Sequence, residues 1–186
     1  MNRIAIRTRV FQIIKERSFR FGDFTLASGE KSKYYLDMKP TMFDPEGASL
    51  LAQLIFLRVA ELQADYIGGL EMGAVPLIAP INMLSYQSAR PLPGFFVRKG
   101  AKDHGTKKLV EVLEGDLRGK NVVILEDVTT KGESAMQAVA ASRDVGANVI
   151  LVLSIVDREA GASDLFEGSG IPFECFFRAS EFLASV

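Results

Sequence analysis

Residues 121–134 read NVVILEDVTTKGES, and few folds accommodate that order of residues. Val122, Val123, Ile124 and Leu125 are apolar and mostly β-branched, which suits a strand covered on both faces within a parallel sheet. The run ends in an acidic pair, Glu126 and Asp127. A polar turn follows, Thr129 to Ser134 with Gly132 inside it, and Ala135, Met136, Ala138, Val139, Ala140 and Ala141 then predict a helix. A helix N-terminus presents N–H groups without partners and a partial positive charge, so this strand, turn and helix predict a phosphate site. Gly132 lets the backbone approach an anion, and Thr129, Thr130 and Ser134 offer hydroxyl donors. Two carboxylates beside a phosphate suit the hydroxyls of a sugar that carries it. Neither the glycine-lysine-serine loop of nucleoside triphosphatases nor the three-glycine dinucleotide fingerprint is present. A plain strand-to-helix turn with a solvated acidic end is the structural alternative, because turn chemistry selects similar residues.

The rest of the chain repeats the strand-and-helix pattern. Arg3, Arg7 and Arg9 alternate with Ile4, Val10, Phe11 and Ile14, which predicts a first amphipathic helix over Met1 to Arg17. Two short alternating runs around Ser28-Gly29 predict a hairpin. Asp44-Pro45-Glu46 supplies an N-cap, a first-turn proline and an acidic first turn for a helix reaching Leu62. A strand over Tyr66 to Leu70, a helix over Ala74 to Tyr86 and a strand over Phe95 to Arg98 follow. Beyond the central unit come a buried strand over Val149 to Val156, a short helical or turn segment through Gly170, a strand over Phe173 to Phe177 and a terminal turn. Strands joined by helical crossovers predict an α/β fold with a mainly parallel, doubly wound sheet flanked by helices, preceded by a small helix and hairpin hood. Ligands of such sheets bind beyond the carboxyl ends of the strands, where Glu71, Arg98, Asp127 and Arg158 fall. With 186 residues, the chain has room for one core and is too short for two ordinary domains.

Between Val97 and Lys108 the sequence VRKGAKDHGTKK holds five basic residues, one acidic residue and the only histidine. Gly100 and Gly105 give it backbone freedom, so the segment predicts a cationic lid that closes over an anion; a solvated surface loop is the alternative. Charge is otherwise balanced, 22 Lys and Arg against 23 Asp and Glu, so no bulk field favours nucleic acid or a membrane surface. No apolar run reaches bilayer-spanning length and no signal sequence opens the chain. The one cysteine, Cys175, lies among Phe173, Phe176 and Phe177 and predicts a small buried hydrophobe, in keeping with the cytoplasm.

The stretch EDVTTKGES resembles the phosphoribosyl pyrophosphate (PRPP) motif of the type I phosphoribosyltransferases. The resemblance implies that Glu126 and Asp127 hold the ribose hydroxyls, and that Val128, Thr129, Thr130, Lys131, Gly132, Glu133 and Ser134 surround the 5-phosphate. Within that group, three further matches point to the orotate phosphoribosyltransferases. The spacing of Arg98, Lys99, Lys102, His104 and Gly105 is similar to their catalytic loop. FTLASGEKSKYYLDMK is similar to the segment before their sheet, where an aromatic pair such as Tyr34-Tyr35 packs on the pyrimidine. VDREAGA, Val156 to Ala162, matches the place of an arginine that recognises orotate, here Arg158. Ala27 and Met72 stand where many members carry lysine.

The resemblance implies a glycosyltransferase of pyrimidine biosynthesis that joins orotate to PRPP with magnesium. Lys102, His104 and Asp127 would be its catalytic residues. Arg98, Lys99, Lys102 and His104 would contact PRPP with the motif, and Tyr34, Tyr35, Thr130 and Arg158 would contact orotate. It implies a homodimer in which the loop Lys99 to Lys108 reaches the neighbouring site, and magnesium held mainly by substrate and water. A purine-type phosphoribosyltransferase or a non-catalytic PRPP-binding regulator are the alternatives.

Overall fold

Alternation along the central strands generates the layers of the molecule. The structure is a computed structural model that describes residues 1–25, 29, 31–100, 109–113 and 115–185. Helix α1 (Arg3–Arg17) is capped by Asn2, whose Oδ1 accepts from the Ala5 N–H at 2.9 Å, and it buries Ile6, Val10, Ile13 and Ile14. Strands β1 (Phe19–Thr25) and β2 (Lys31–Leu36) form the expected antiparallel hairpin. A single helical turn, α2 (Lys39–Met42), leads to α3 (Pro45–Val59), which Asp44 caps by accepting from the Gly47 N–H at 2.9 Å. Then come β3 (Tyr66–Gly68), α4 (Val75–Gln87), β4 (Phe95–Val97), β5 (Val110–Val112), β6 (Asn121–Thr129), α5 (Glu133–Asp144), β7 (Asn148–Asp157), α6 (Ala162–Gly168), β8 (Phe173–Arg178) and α7 (Ala179–Leu183).

The main sheet is parallel in the order β3-β6-β7-β8. β4 continues it beside β3 through the parallel bridges Ile67–Gly94 and Leu70–Val97, and β5 pairs antiparallel with β4. On β6, Val123 and Leu125 point into a core shared with α1, α3 and α4, while Val122 and Ile124 point into a second core under α5 and α6. A strand apolar on both faces is stable only when both are covered, which is why this run carries no alternation of polar residues.

The structure extends or adds to the sequence expectations at β6, α5, β5 and α2, and the expected terminal turn is the short helix α7. β6 runs on to Thr129, because β7 keeps pairing with it as far as Thr129 opposite Asp157; the acidic pair therefore lies within the last rungs of the ladder. Helix α5 starts at Glu133, before the apolar run that announced it. Neither β5 nor α2 was expected. Three residues of strand and four of helix carry too little periodicity to be read. Cys175 lies half-buried in β8, and burial, aided by the charge of Asp157, raises its thiol pKa. No helix among the described residues is long and apolar enough to cross a membrane.

Candidate active site

The carboxyl ends of β3, β4, β6 and β7 converge on the acidic pair. Glu126 is only 8 % exposed, and its Oε2 has no hydrogen-bond partner among the described residues. Burial, with the adjacent charge of Asp127, lifts its carboxyl to about 8, and Lys99 opposes the shift. Burial also raises Asp127, against the pull of the backbone N–H groups of Val128 and Asp127 itself and of the Lys39 charge. Both carboxyls are thus held above their ordinary values, a buried one beside a partly exposed one near the end of β6. Gly73, in the turn after β3, makes room for the pair: a Cβ there would stand 2.6 Å from Asp127 Oδ1 and 3.3 Å from Glu126 Oε1.

The turn after β6 has the backbone geometry that the expected phosphate site requires. Gly132 adopts φ 85°, a left-handed conformation that favours glycine, and its carbonyl accepts the first helical hydrogen bond of α5, from Met136 at 2.9 Å. No side chain caps this helix, so the amides of its first turn face outward. Thr130, Lys131, Glu133 and Ser134 are exposed around them. Thr129 differs from the expectation of a free hydroxyl donor. It is buried, and its Oγ1 donates to Ser154 Oγ at 2.8 Å, because the extended ladder of β6 turns it into the sheet.

Arg158, at the end of β7, donates its backbone N–H to the Thr129 carbonyl at 2.8 Å, which places its side chain beside the cradle. Its Nε lies 3.2 Å from the Tyr34 hydroxyl of the hairpin. Tyr34 in turn stacks on Phe19 at 5.6 Å. Tyr35 does not join it. Alternation along β2 turns that ring to the opposite face, where it lies exposed against Phe24 at 5.7 Å. Arg98 lies over Phe96, and its Nε donates to Glu111 Oε1 at 2.9 Å, so it braces the β4–β5 ribbon. The backbone N–H of Lys99 donates to Glu71 Oε1 at 3.1 Å, which ties the start of the loop to the turn after β3. Lys102 and His104 lie outside the described residues, as do Gly105, Lys108 and Ala27. Met72 is exposed.

Gly73 and Lys39 were not singled out from the sequence as binding residues, and Glu71 was placed only at a strand end where ligands bind. Gly73 follows a strand-end acid as glycines of many turns do, and only its approach to Asp127 separates it from them. Lys39 stands in an Asp37-Met38-Lys39 sequence whose spacing has no chemistry of its own until the hairpin places it near Asp127. Among the described residues no group of three or more His, Cys, Asp or Glu side chains is placed to hold a metal ion.

No model of a known protein family matches this chain. It is 53% identical over 185 residues to the orotate phosphoribosyltransferase of Bradyrhizobium diazoefficiens, covering 98% of this chain and 99% of that protein. Among solved structures, it is similar to Mycobacterium tuberculosis orotate phosphoribosyltransferase in complex with Fe(III) dicitrate, with a TM-score of 0.82, 31% identity and coverage of 95% of this chain and 98% of that one. The same Mycobacterium tuberculosis enzyme in complex with 5-phospho-α-D-ribosyl 1-diphosphate matches with a TM-score of 0.78 at 28% identity, covering 95% and 98%.

Proposed function

The chain belongs to the orotate phosphoribosyltransferase family, and we propose that its crevice joins orotate to PRPP, giving orotidine 5′-monophosphate and pyrophosphate for pyrimidine synthesis. The observation that carries this reading is the pairing of an acidic dyad with an uncapped helix N-terminus on one side and an arginine-tyrosine pair on the other. The 5-phosphate takes the outward amides of α5 with the exposed hydroxyls of Thr130 and Ser134. Glu126 and Asp127 receive the ribose hydroxyls. Orotate lies against Tyr34, where the guanidinium of Arg158 offers parallel donors to a carboxylate or a paired carbonyl.

A ring nitrogen of orotate then bonds to the anomeric carbon and loses its proton, while the bond from that carbon to the pyrophosphate oxygen breaks and pyrophosphate leaves with the electron pair, the proton passing to pyrophosphate or to water. Positive charge develops on the sugar and negative charge on the leaving group, so a nearby carboxylate stabilises the first and cations the second. Asp127 supplies the carboxylate; Lys99, with Lys102 and His104 of the loop, supplies the cations and closes the crevice against water. Magnesium fits this oxygen-lined crevice as an ion carried in mainly by substrate phosphates, hydroxyls and water, where it adds positive charge to the leaving group.

The protein acts as a single cytoplasmic domain and as a homodimer in which the loop Lys99 to Lys108 reaches the neighbouring site. The dimer reading is supported by exposed apolar residues along α4 and after β5, Met83, Tyr86 and Leu113. Ultraviolet measurement of orotate consumption with PRPP and magnesium tests the reading, with adenine and hypoxanthine as competitors. Loss of orotate with equal release of pyrophosphate is expected. Consumption of a purine with orotate untouched would replace it with the purine-type activity.

A further inference from the structure

Helix α2 is one turn long, and packing fixes where it lies. Thr41 is fully buried with its Oγ1 2.6 Å from Ser18 Oγ. Gly47 approaches the Thr41 carbonyl oxygen so closely that a Cβ on it would overlap that atom. The first residue of this clamped turn, Lys39, stays out of the core. Its Nζ lies 2.9 Å from Asp37 Oδ1, and its backbone N–H donates to the same oxygen at 3.0 Å. Asp37 is itself fixed, donating its N–H to the Ser18 carbonyl at 3.1 Å.

Backbone and side chain therefore play different parts here. The backbone of Lys39 is anchored three residues past the end of the hairpin strand that holds Tyr34, near enough to the crevice for its charge to act on Asp127. Its side chain is 65% exposed, and an ion pair of that kind contributes little to stability. A long stem and a weakly held head allow the ammonium to change partners at small cost. The crevice has reason to recruit it. Among the described residues, Lys99 acts by its charge on Glu126 and Lys39 on Asp127, whereas Arg98 is engaged with Glu111 and Arg158 with Tyr34. Substrates carrying phosphates and a carboxylate add several negative charges beside Asp127.

We propose that Lys39 is a further substrate-binding cation of this site, which leaves Asp37 to contact an anionic oxygen of the bound substrates, either a phosphate of PRPP or the carboxylate of orotate. This rests on the transferase reading given above. The wild-type protein is assayed first for orotate-dependent pyrophosphate release, and that result alone decides the transferase reading. Lys39→Ala, Lys39→Arg and Asp37→Asn are then compared with it. Loss of one charge-assisted hydrogen bond is expected to raise a KM about tenfold in Lys39→Ala, with an unchanged thermal midpoint. A rise in the KM for PRPP identifies a phosphate contact, and a rise in the KM for orotate identifies the carboxylate. Lys39→Arg is expected to recover most of the loss. Asp37→Asn keeps an acceptor for the Lys39 N–H while removing the competing charge, and is expected to hold both KM values at or below those of the wild type. The proposal is overturned if Lys39→Ala leaves both KM values within about twofold of wild type, or if Asp37→Asn reproduces its loss, because the pair would then be a structural brace.

Discussion

Arg158 donates from Nε to the Tyr34 hydroxyl at 3.2 Å, and its guanidinium carbon lies 4.7 Å from the centre of the same ring. One tyrosine thus steers an arginine by its edge and covers it by its face, across 124 residues of chain. Arg158→Ala is expected to raise the KM for orotate by about tenfold or more, with a smaller effect on the KM for PRPP, since the contact is made before the transition state. Tyr34→Phe keeps the ring and loses the hydroxyl, so it is expected to raise the same KM only a few-fold. Steady-state kinetics with each substrate varied in turn checks both; a rise confined to PRPP would remove Arg158 from the orotate side.

The buried acid of β6 makes stability depend on pH. Glu126 titrates at about 8 in the folded protein against an ordinary value of 4.5, so between those values the folded state keeps a proton that the unfolded chain releases. Stability is therefore full below the ordinary value, falls as pH rises through that window and levels off above it. Asp127 is raised as well and acts in the same direction from its own lower starting point. The denaturation midpoint of the ligand-free protein is expected to fall between about pH 5 and about pH 9. Glu126→Gln, which has no proton to lose, is expected to flatten most of that fall. An identical slope in the variant would assign the dependence to other groups.

Gly73→Ala inserts a methyl group 2.6 Å from Asp127 Oδ1, so the carboxylate must move. Displacing a group that positions the ribose by about an ångström is expected to lower kcat/KM on the order of a hundredfold. Circular dichroism and the thermal midpoint are expected to stay close to wild type, because Gly73 lies in a partly exposed turn. Full activity in Gly73→Ala would mean that the acidic pair tolerates another geometry.

Two adjacent threonines are expected to behave differently. Thr129→Val removes a buried donor to Ser154 and is expected to cost about 1 kcal/mol of stability while leaving the KM for PRPP unchanged. Thr130→Ala removes an exposed hydroxyl beside the α5 amides and is expected to do the reverse. Urea denaturation and PRPP titration of both variants separate the two roles.

The proposed sharing of sites between two subunits is open to a complementation test. Lys102→Ala and Asp127→Asn are each expected to inactivate a homodimer. Subunit exchange between them gathers both lesions in one site of the mixed dimer and leaves the other intact, so mixing is expected to restore about one working site per mixed dimer. Exchange demonstrated by a tag pull-down without recovery of orotate turnover would show that the loop serves its own subunit.

Much of this architecture could be read from residue order because the long elements are strongly patterned. The doubly covered strand of residues 122–125, the amphipathic first helix and the Asp44-capped α3 all carry their signals locally. The acidic pair and the Gly132 turn were legible for the same reason, each being a short stretch with distinctive chemistry. What escaped depends on partners far away in sequence. The burial of Thr129 follows from how far β7 continues to pair, the separation of Tyr34 from Tyr35 follows from which face of the hairpin meets Arg158, and the value of Gly73 follows from the approach of Asp127. None of these is visible in spacing, because each is a tertiary contact that either neighbour would satisfy equally well in isolation.

The β4–β5 ribbon separates the length of the segment it carries from the geometry of the sheet. Phe95, Val97 and Val110 are buried, and the Arg98 N–H meets the Leu109 carbonyl at 2.9 Å, so a slip of one residue would turn apolar side chains outward and is strongly resisted. Residues inserted or deleted between these two anchors therefore change the reach of the intervening chain without disturbing the register beneath it. Such a chain can be lengthened, shortened or exchanged as a cassette while Glu126, Asp127 and the α5 amides stay in place. The placement of the acidic pair and of the α5 amides thereby becomes independent of the number of residues between the two strands of the ribbon.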